Sequence, residues 1–172
     1  QCLTLPMKCM WRSPFMHRTG EFRYSGTQLT VAVADHPAIC WEAVDGYQHD
    51  HRQPLGITEY VHVPVESGGV MHFEWSDWRR VTAKHAWYKM ENVVRWPGRK
   101  SIQEIDALYS QALDEGGWEV KTTPDRWFDG YQHLLPHIKR NVIPWHEAEC
   151  KRLWEEYGPE RFEGLNLWGI VA

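Results

Sequence analysis

Only four cysteines occur in 172 residues, at positions 2, 9, 40 and 150, and no two form a Cys-x-x-Cys pair. That excludes a disulfide-dense secreted scaffold, so reduced thiols in a cytoplasmic protein are the expectation. No stretch approaches the roughly 18 consecutive apolar residues of a membrane-spanning helix. The opening residues do not read as a charged-then-apolar signal peptide. Excess positive charge is missing too: a formal net charge of -4 gives no general attraction to nucleic acid, and any anion site has to be a local patch. No low-complexity linker interrupts the chain. Its 42% hydrophobic and 24% charged residues are the balance of a globular protein with one core of ordinary size.

Tryptophan is what the chain has in plenty, with eleven residues. Each buries a large area, so filling an irregular core is one use, and stacking on sugar rings or bases is the other. Composition does not separate them. Leu3, Leu5 and Met7 alternate with other residues directly after Gln1, as in a strand, so the sequence is expected to begin inside a fold.

The first 75 residues are rich in β-branched, aromatic and turn-forming residues. Leu29–Val33 reads as a buried strand, residues 57–65 as a second and residues 70–75 as a third. The Ser67-Gly68-Gly69 turn suggests that the last two form a hairpin. The period then becomes helical. Ser76 is the expected N-cap, with Asp77 in the first turn, and Ala83, Ala86, Trp87, Met90 and Val94 form the buried stripe. Pro97-Gly98 stops that helix. Ser101-Ile-Gln-Glu104 is a capping box that opens a second helix, which Gly116-Gly117 ends. A short helical turn is expected over 124–128. A last helix should start with Pro144 at its first position and stop at Gly158. The pentapeptide at 45–49 recurs at 129–133, but the flanks differ, so two similar Asp-Gly turns are expected rather than a structural repeat.

The chemistry-bearing residues gather around His72, which closes a short apolar strand just ahead of the first helix. At about 100° per residue, Arg80, Lys84, Tyr88 and Arg95 fall on one flank of that helix, beside the buried stripe. A histidine able to bind metal, followed by a cationic flank, suits a phosphate-rich ligand. A hydrogen-bonded structural histidine and a solvated basic flank are the plain alternative.

The run from Val70 to Met90, with Arg95-Trp-Pro-Gly98 and Leu153-Trp-Glu-Glu-Tyr-Gly-Pro-Glu-Arg-Phe162, resembles the C-terminal region of A-type-fold, family-two-like glycosyltransferases of phages and bacteria. The resemblance is concentrated in residues 69–98. It implies an α/β fold: the C-terminal part of a nucleotide-diphospho-sugar transferase, a short mixed sheet followed by several helices. Residues 1–98 would then belong to the catalytic domain, and residues 99–172 to a helical extension packed on it. The implied activity is transfer of a sugar from a nucleotide-diphosphate donor to an acceptor hydroxyl on a polysaccharide, a protein or a modified DNA base, with manganese or magnesium as cofactor. Carried over, His72 becomes a ligand of that metal, and Arg80, Lys84 and Tyr88 become candidates for the donor diphosphate or the acceptor. The family's Asp-x-Asp metal motif is absent from the sequence, and in the family's order it would precede Gln1.

Three other readings remain. Asp35 and Asp45 are the carboxylates nearest the region where the family places its general base. His36 and Cys40, with His49 and His51, offer nitrogen and thiolate ligands for zinc, although their spacing follows no strong zinc pattern. Arg12, Arg18 and Arg23, with Trp11 and Phe15, make a basic aromatic stretch expected to be a loop. Two non-enzymatic functions stand beside the transferase: a carbohydrate-binding module that uses its tryptophans, and a phage nucleic-acid-associated module that uses Arg79, Arg80, Lys84, Lys89 and Arg95.

Overall fold

The structure, a computed structural model, describes residues 1–19, 27–41, 53–110, 113, 116, 119–138 and 142–171. It is mixed α/β, with a short mixed sheet and several helices. The chain divides into two units: Gln1–Phe73 with Gly117–Trp127, and Glu74–Gly116 with Phe128–Ala172. The boundary expected at 98/99 falls inside the second unit.

In the first unit, β1 (Cys2–Cys9) is the central strand. β2 (Met16–Thr19) follows it, and β3 (Gln28–Val33) pairs antiparallel along β1, from Cys2 opposite Val33 to Pro6 opposite Gln28, with a register shift between Leu3 and Thr4. The face β1 buries changes further along, at Pro6 and Met7: Cys2, Thr4 and Pro6 are buried before it, Met7 and Cys9 after it, and Leu3 stays exposed. β3 itself is half exposed rather than buried, with Val31 at 44%.

The expected hairpin does not form. β4 (Tyr60–His62) runs parallel to Cys2–Thr4, and β5 (Val70–His72) runs parallel to Met7–Cys9. Both therefore run in the same direction as β1. The gap between them falls at Leu5 and Pro6. Pro6 has no N–H to give to a ladder, so pairing lapses there and the chain loops out over residues 63–69. It returns through Gly69, where a Cβ would sit 2.5 Å from the Pro6 carbonyl oxygen. The two glycines serve that close return and do not reverse the chain. Of the long strand expected over 57–65, only Tyr60–His62 is strand, with Glu59 and Val63 adding one bond each to β1. A second small sheet pairs β2 antiparallel with β6 (Glu119–Thr122).

The second unit is helical. The expected strand over 70–75 stops at His72 because Phe73–Ser76 turns into a 3-10 helix that buries Trp75 and Ser76. Ser76 is thereby used up, and Asp77, extended at φ -114°, becomes the N-cap of α1 (Trp78–Arg95); its carboxylate accepts from the Arg80 N–H at 3.2 Å. α2 (Ile102–Ser110) begins with the capping box: the Glu104 carboxylate accepts from the Ser101 N–H at 2.8 Å, and Ser101 Oγ accepts from the Glu104 N–H at 3.2 Å. A 3-10 turn spans Asp125–Phe128, as expected. α3 (Trp145–Tyr157) takes Pro144 as N-cap rather than first residue. It ends at Gly158, whose φ of +78° suits glycine.

Ala86, Met90 and Val93 of α1 meet Ile105 of α2, Cys150 and Leu153 of α3, and Phe162 and Leu167 of the closing segment. Met90 is fully buried and Glu91 is not. Met90→Ala should cost about 2–5 kcal/mol, and Glu91→Ala should stay within about 0.5 kcal/mol. Denaturant titrations of the two variants check this, and equal losses would mean that the buried face has been assigned wrongly.

Candidate functional site

His72 lies in the first unit, half-buried at the end of β5 and opposite Cys9 in the parallel ladder. Its carbonyl accepts from the Met10 N–H at 3.0 Å. Among the described residues no group of three or more histidine, cysteine or acidic side chains is placed to hold a metal ion. His72 thus offers one ligand, with no assembled centre around it there.

The zinc reading fares similarly. His36 Nδ1 accepts from the Ala38 N–H at 3.1 Å, both His36 and Cys40 are exposed, and His49 and His51 lie outside the described residues. Asp35 is exposed, and Asp45 lies outside them. The basic aromatic stretch needs correction. Arg18 belongs to β2, is 4% exposed, and rests its guanidinium 3.3 Å from the Trp11 ring centre, so it is packing rather than loop surface. Arg12 is exposed with φ +53°, and Arg23 lies outside the described residues.

Arg80, Lys84 and Tyr88 all lie on α1, in the second unit. Lys84 Nζ is 2.6 Å from Glu74 Oε1 and 5.2 Å from the Tyr88 ring centre. Burial pulls the Lys84 ammonium toward deprotonation, but Glu74 and Tyr88 outweigh it and the pKa is raised, so Lys84 stays charged. His85, next along the helix, donates from Nδ1 to the Tyr109 carbonyl at 2.9 Å and leaves Nε2 3.9 Å from the same Glu74 oxygen. Arg80 is exposed.

His146, on the first turn of α3, reports the field of these cations. It is 6% exposed, stacked on Trp145 at 3.9 Å, with Trp87 edge-on at 5.6 Å, and its Nδ1 has no hydrogen-bond partner among the described residues. Burial, then Lys84, then Arg80 depress its pKa to about 4, with Glu74 opposing. Arg80 and Lys84 therefore both act on this ring, against Glu74. The nearby Cys150 thiol is pushed up to about 12 by burial and is not a nucleophile at neutral pH.

Besides Lys84, two of the five basic residues offered for a nucleic-acid face are otherwise engaged. Lys89 is fully buried, and Arg79 is held by Glu147 through two bonds of 2.6 and 2.9 Å. Sequence reasoning passed over His146 and the burial of Lys89. The second had a visible signal: Lys89 stands three residues after Ala86 and seven after Thr82, in phase with the core stripe. His146 carried none, because its environment comes from α1.

No family model matches this chain, and neither does any curated protein or solved structure.

Proposed function

We propose that the chain carries part of the site of a metal-dependent glycosyltransferase of A-type fold, which moves a sugar from a nucleotide-diphosphate donor to an acceptor hydroxyl. The observation that carries this reading is the placement of Arg80 and charged Lys84 one helical turn apart on α1, where both act on the His146 ring of α3. Two cations fixed on adjacent helical turns match the paired oxygens of a diphosphate. The resemblance of residues 69–98 to the family points the same way. Tyr88, within reach of Lys84, would orient the donor or the acceptor.

His72 would give one nitrogen ligand to manganese or magnesium, whose role is to stabilise charge on the departing diphosphate. The carboxylates that would complete such a centre are assigned to no residue of this sequence. The acceptor class stays at polysaccharide, protein or modified DNA base.

Calorimetric titration of uridine diphosphate with manganese tests the cationic pair. Arg80→Ala should weaken binding about tenfold, the loss of roughly 1.4 kcal/mol, without changing the melting temperature, because Arg80 is exposed. On the full-length gene product, manganese-dependent hydrolysis of a nucleotide sugar should vanish in His72→Ala. Activity that survives both His72→Ala and chelation would end this reading.

A further inference from the structure

On the second unit, α1, α3 and residues 168–171 enclose a groove of about 590 Å³, within the roughly 300–1,000 Å³ of small-molecule sites. Arg79 contributes from α1. Glu147, Lys151, Trp154 and Glu155 contribute from one face of α3, and Trp168 closes the end. None of these residues was singled out for the donor.

The two indoles are held rigidly. Trp154 packs parallel to Phe162, with ring centres 6.0 Å apart. Trp168 has φ +51°, a strained value for a bulky residue, and two contacts keep it there: its backbone N–H donates to Asn166 Oδ1 at 3.0 Å, and the Lys89 ammonium sits 3.9 Å from its ring centre. Strain of this kind persists only where the surroundings over-determine it, and it gathers at ligand clamps. Gly169 follows with φ +72°, and a Cβ there would meet nothing within 4 Å, so the groove is open beside the ring.

The wall selects by charge. Arg79 and Lys151 balance Glu147 and Glu155, and Arg79 is already committed to Glu147. A phosphate would meet two carboxylates, a cation would meet two cations, and an apolar ligand would strip water from all four. What suits alternating donors and acceptors beside two fixed indoles is a neutral polyhydroxylated ring. Its C–H face lies on the electron-rich indole while its hydroxyls bond to the charged rim. We infer that this groove is a binding subsite for a short neutral saccharide, and that it works whether or not the donor reading holds.

The test uses the 172-residue chain on a glycan array carrying neutral and acidic sugars, in the presence of a chelator and without nucleotide, so that failure of the donor reading does not affect it. Hits are then titrated by tryptophan fluorescence. Neutral glycans should bind saturably. Lys151→Ala combined with Glu155→Ala, both exposed and therefore compatible with an unchanged melting temperature, should weaken them about tenfold. Arg126→Ala, in the other unit, should leave affinity unchanged. An array with no hits, hits confined to acidic glycans, or unchanged affinity in the double variant would each overturn the assignment.

Discussion

Lys89→Met is expected to lower the folding free energy by about 3–5 kcal/mol, the range for breaking a buried ion pair on one side. The Lys89 side chain is completely buried, yet each of its three N–H donors has an acceptor: Asp106 Oδ1 at 2.7 Å, Ser110 Oγ at 2.9 Å and the Asn166 carbonyl at 2.8 Å. The Trp168 ring lies 3.9 Å from the same nitrogen. One ammonium thus ties α1 to α2 and to the closing segment. Burial drives its pKa below the ordinary lysine value, and Asp106 pushes back. Methionine matches the stem and keeps its apolar contacts, but it leaves the Ser110 hydroxyl and the Asn166 carbonyl without their donor and Asp106 without its counter-charge. Asp106 still accepts from the Asn166 N–H at 2.7 Å, so Asp106→Asn, which removes the charge and can keep an oxygen there, should recover part of the loss in a Lys89→Met background. Urea denaturation of the two variants measures both effects. A Lys89→Met loss under about 1 kcal/mol would show that the pair does not hold these elements together.

The same lysine shows where the sequence was legible and where it was not. The capping box at Ser101, the stop at Pro97-Gly98 and the last helix through Tyr157 were readable because each depends on residues within a few positions of one another. Lys89 sat in the core phase of α1, but its type argued for solvent. Only partners 17, 21 and 77 residues away made it a core residue. The sheet failed for a related reason. Two strands separated by a glycine turn read as a hairpin, whereas both pair with a strand at the other end of the segment, and Pro6 sets the break between them. β6, all four residues exposed, had no alternation to detect. For the candidate site, the flank of Arg80, Lys84 and Tyr88 was visible from helical phase alone. His146 and the groove beside Trp168 were not, since each is a meeting of segments far apart in the chain, and Glu74 reaches Lys84 only through the 3-10 turn that replaces the end of the expected strand; the φ of Trp168 has no compositional mark.

Acid should destabilise the protein between pH 6.5 and about 4 through His146. Its folded pKa is near 4 against an ordinary 6.5, and at about 1.4 kcal/mol per unit the penalty for charging it in the native state comes to about 3–3.5 kcal/mol. In that window, about 2.5 pH units wide, the unfolded chain binds a proton that the native one refuses. Stability is therefore fully present above pH 6.5, falls as pH drops, and levels off for this group below about 4. His17 is shifted in the same direction, by burial and then by Lys8 and Lys121, so the wild-type curve contains more than one histidine. His146→Phe isolates one share: a ring still fills the space between Trp145 and Trp87, and the difference between variant and wild type should grow steadily from pH 6.5 to 4. Parallel curves over that range would refute the assignment. Nuclear magnetic resonance titration of the His146 ring adds a test of the site itself. Because Lys84 and Arg80 are among the causes of the depression, Arg80→Ala should raise the pKa. A diphosphate bound between the two cations should raise it further in the wild type, by placing negative charge beside them.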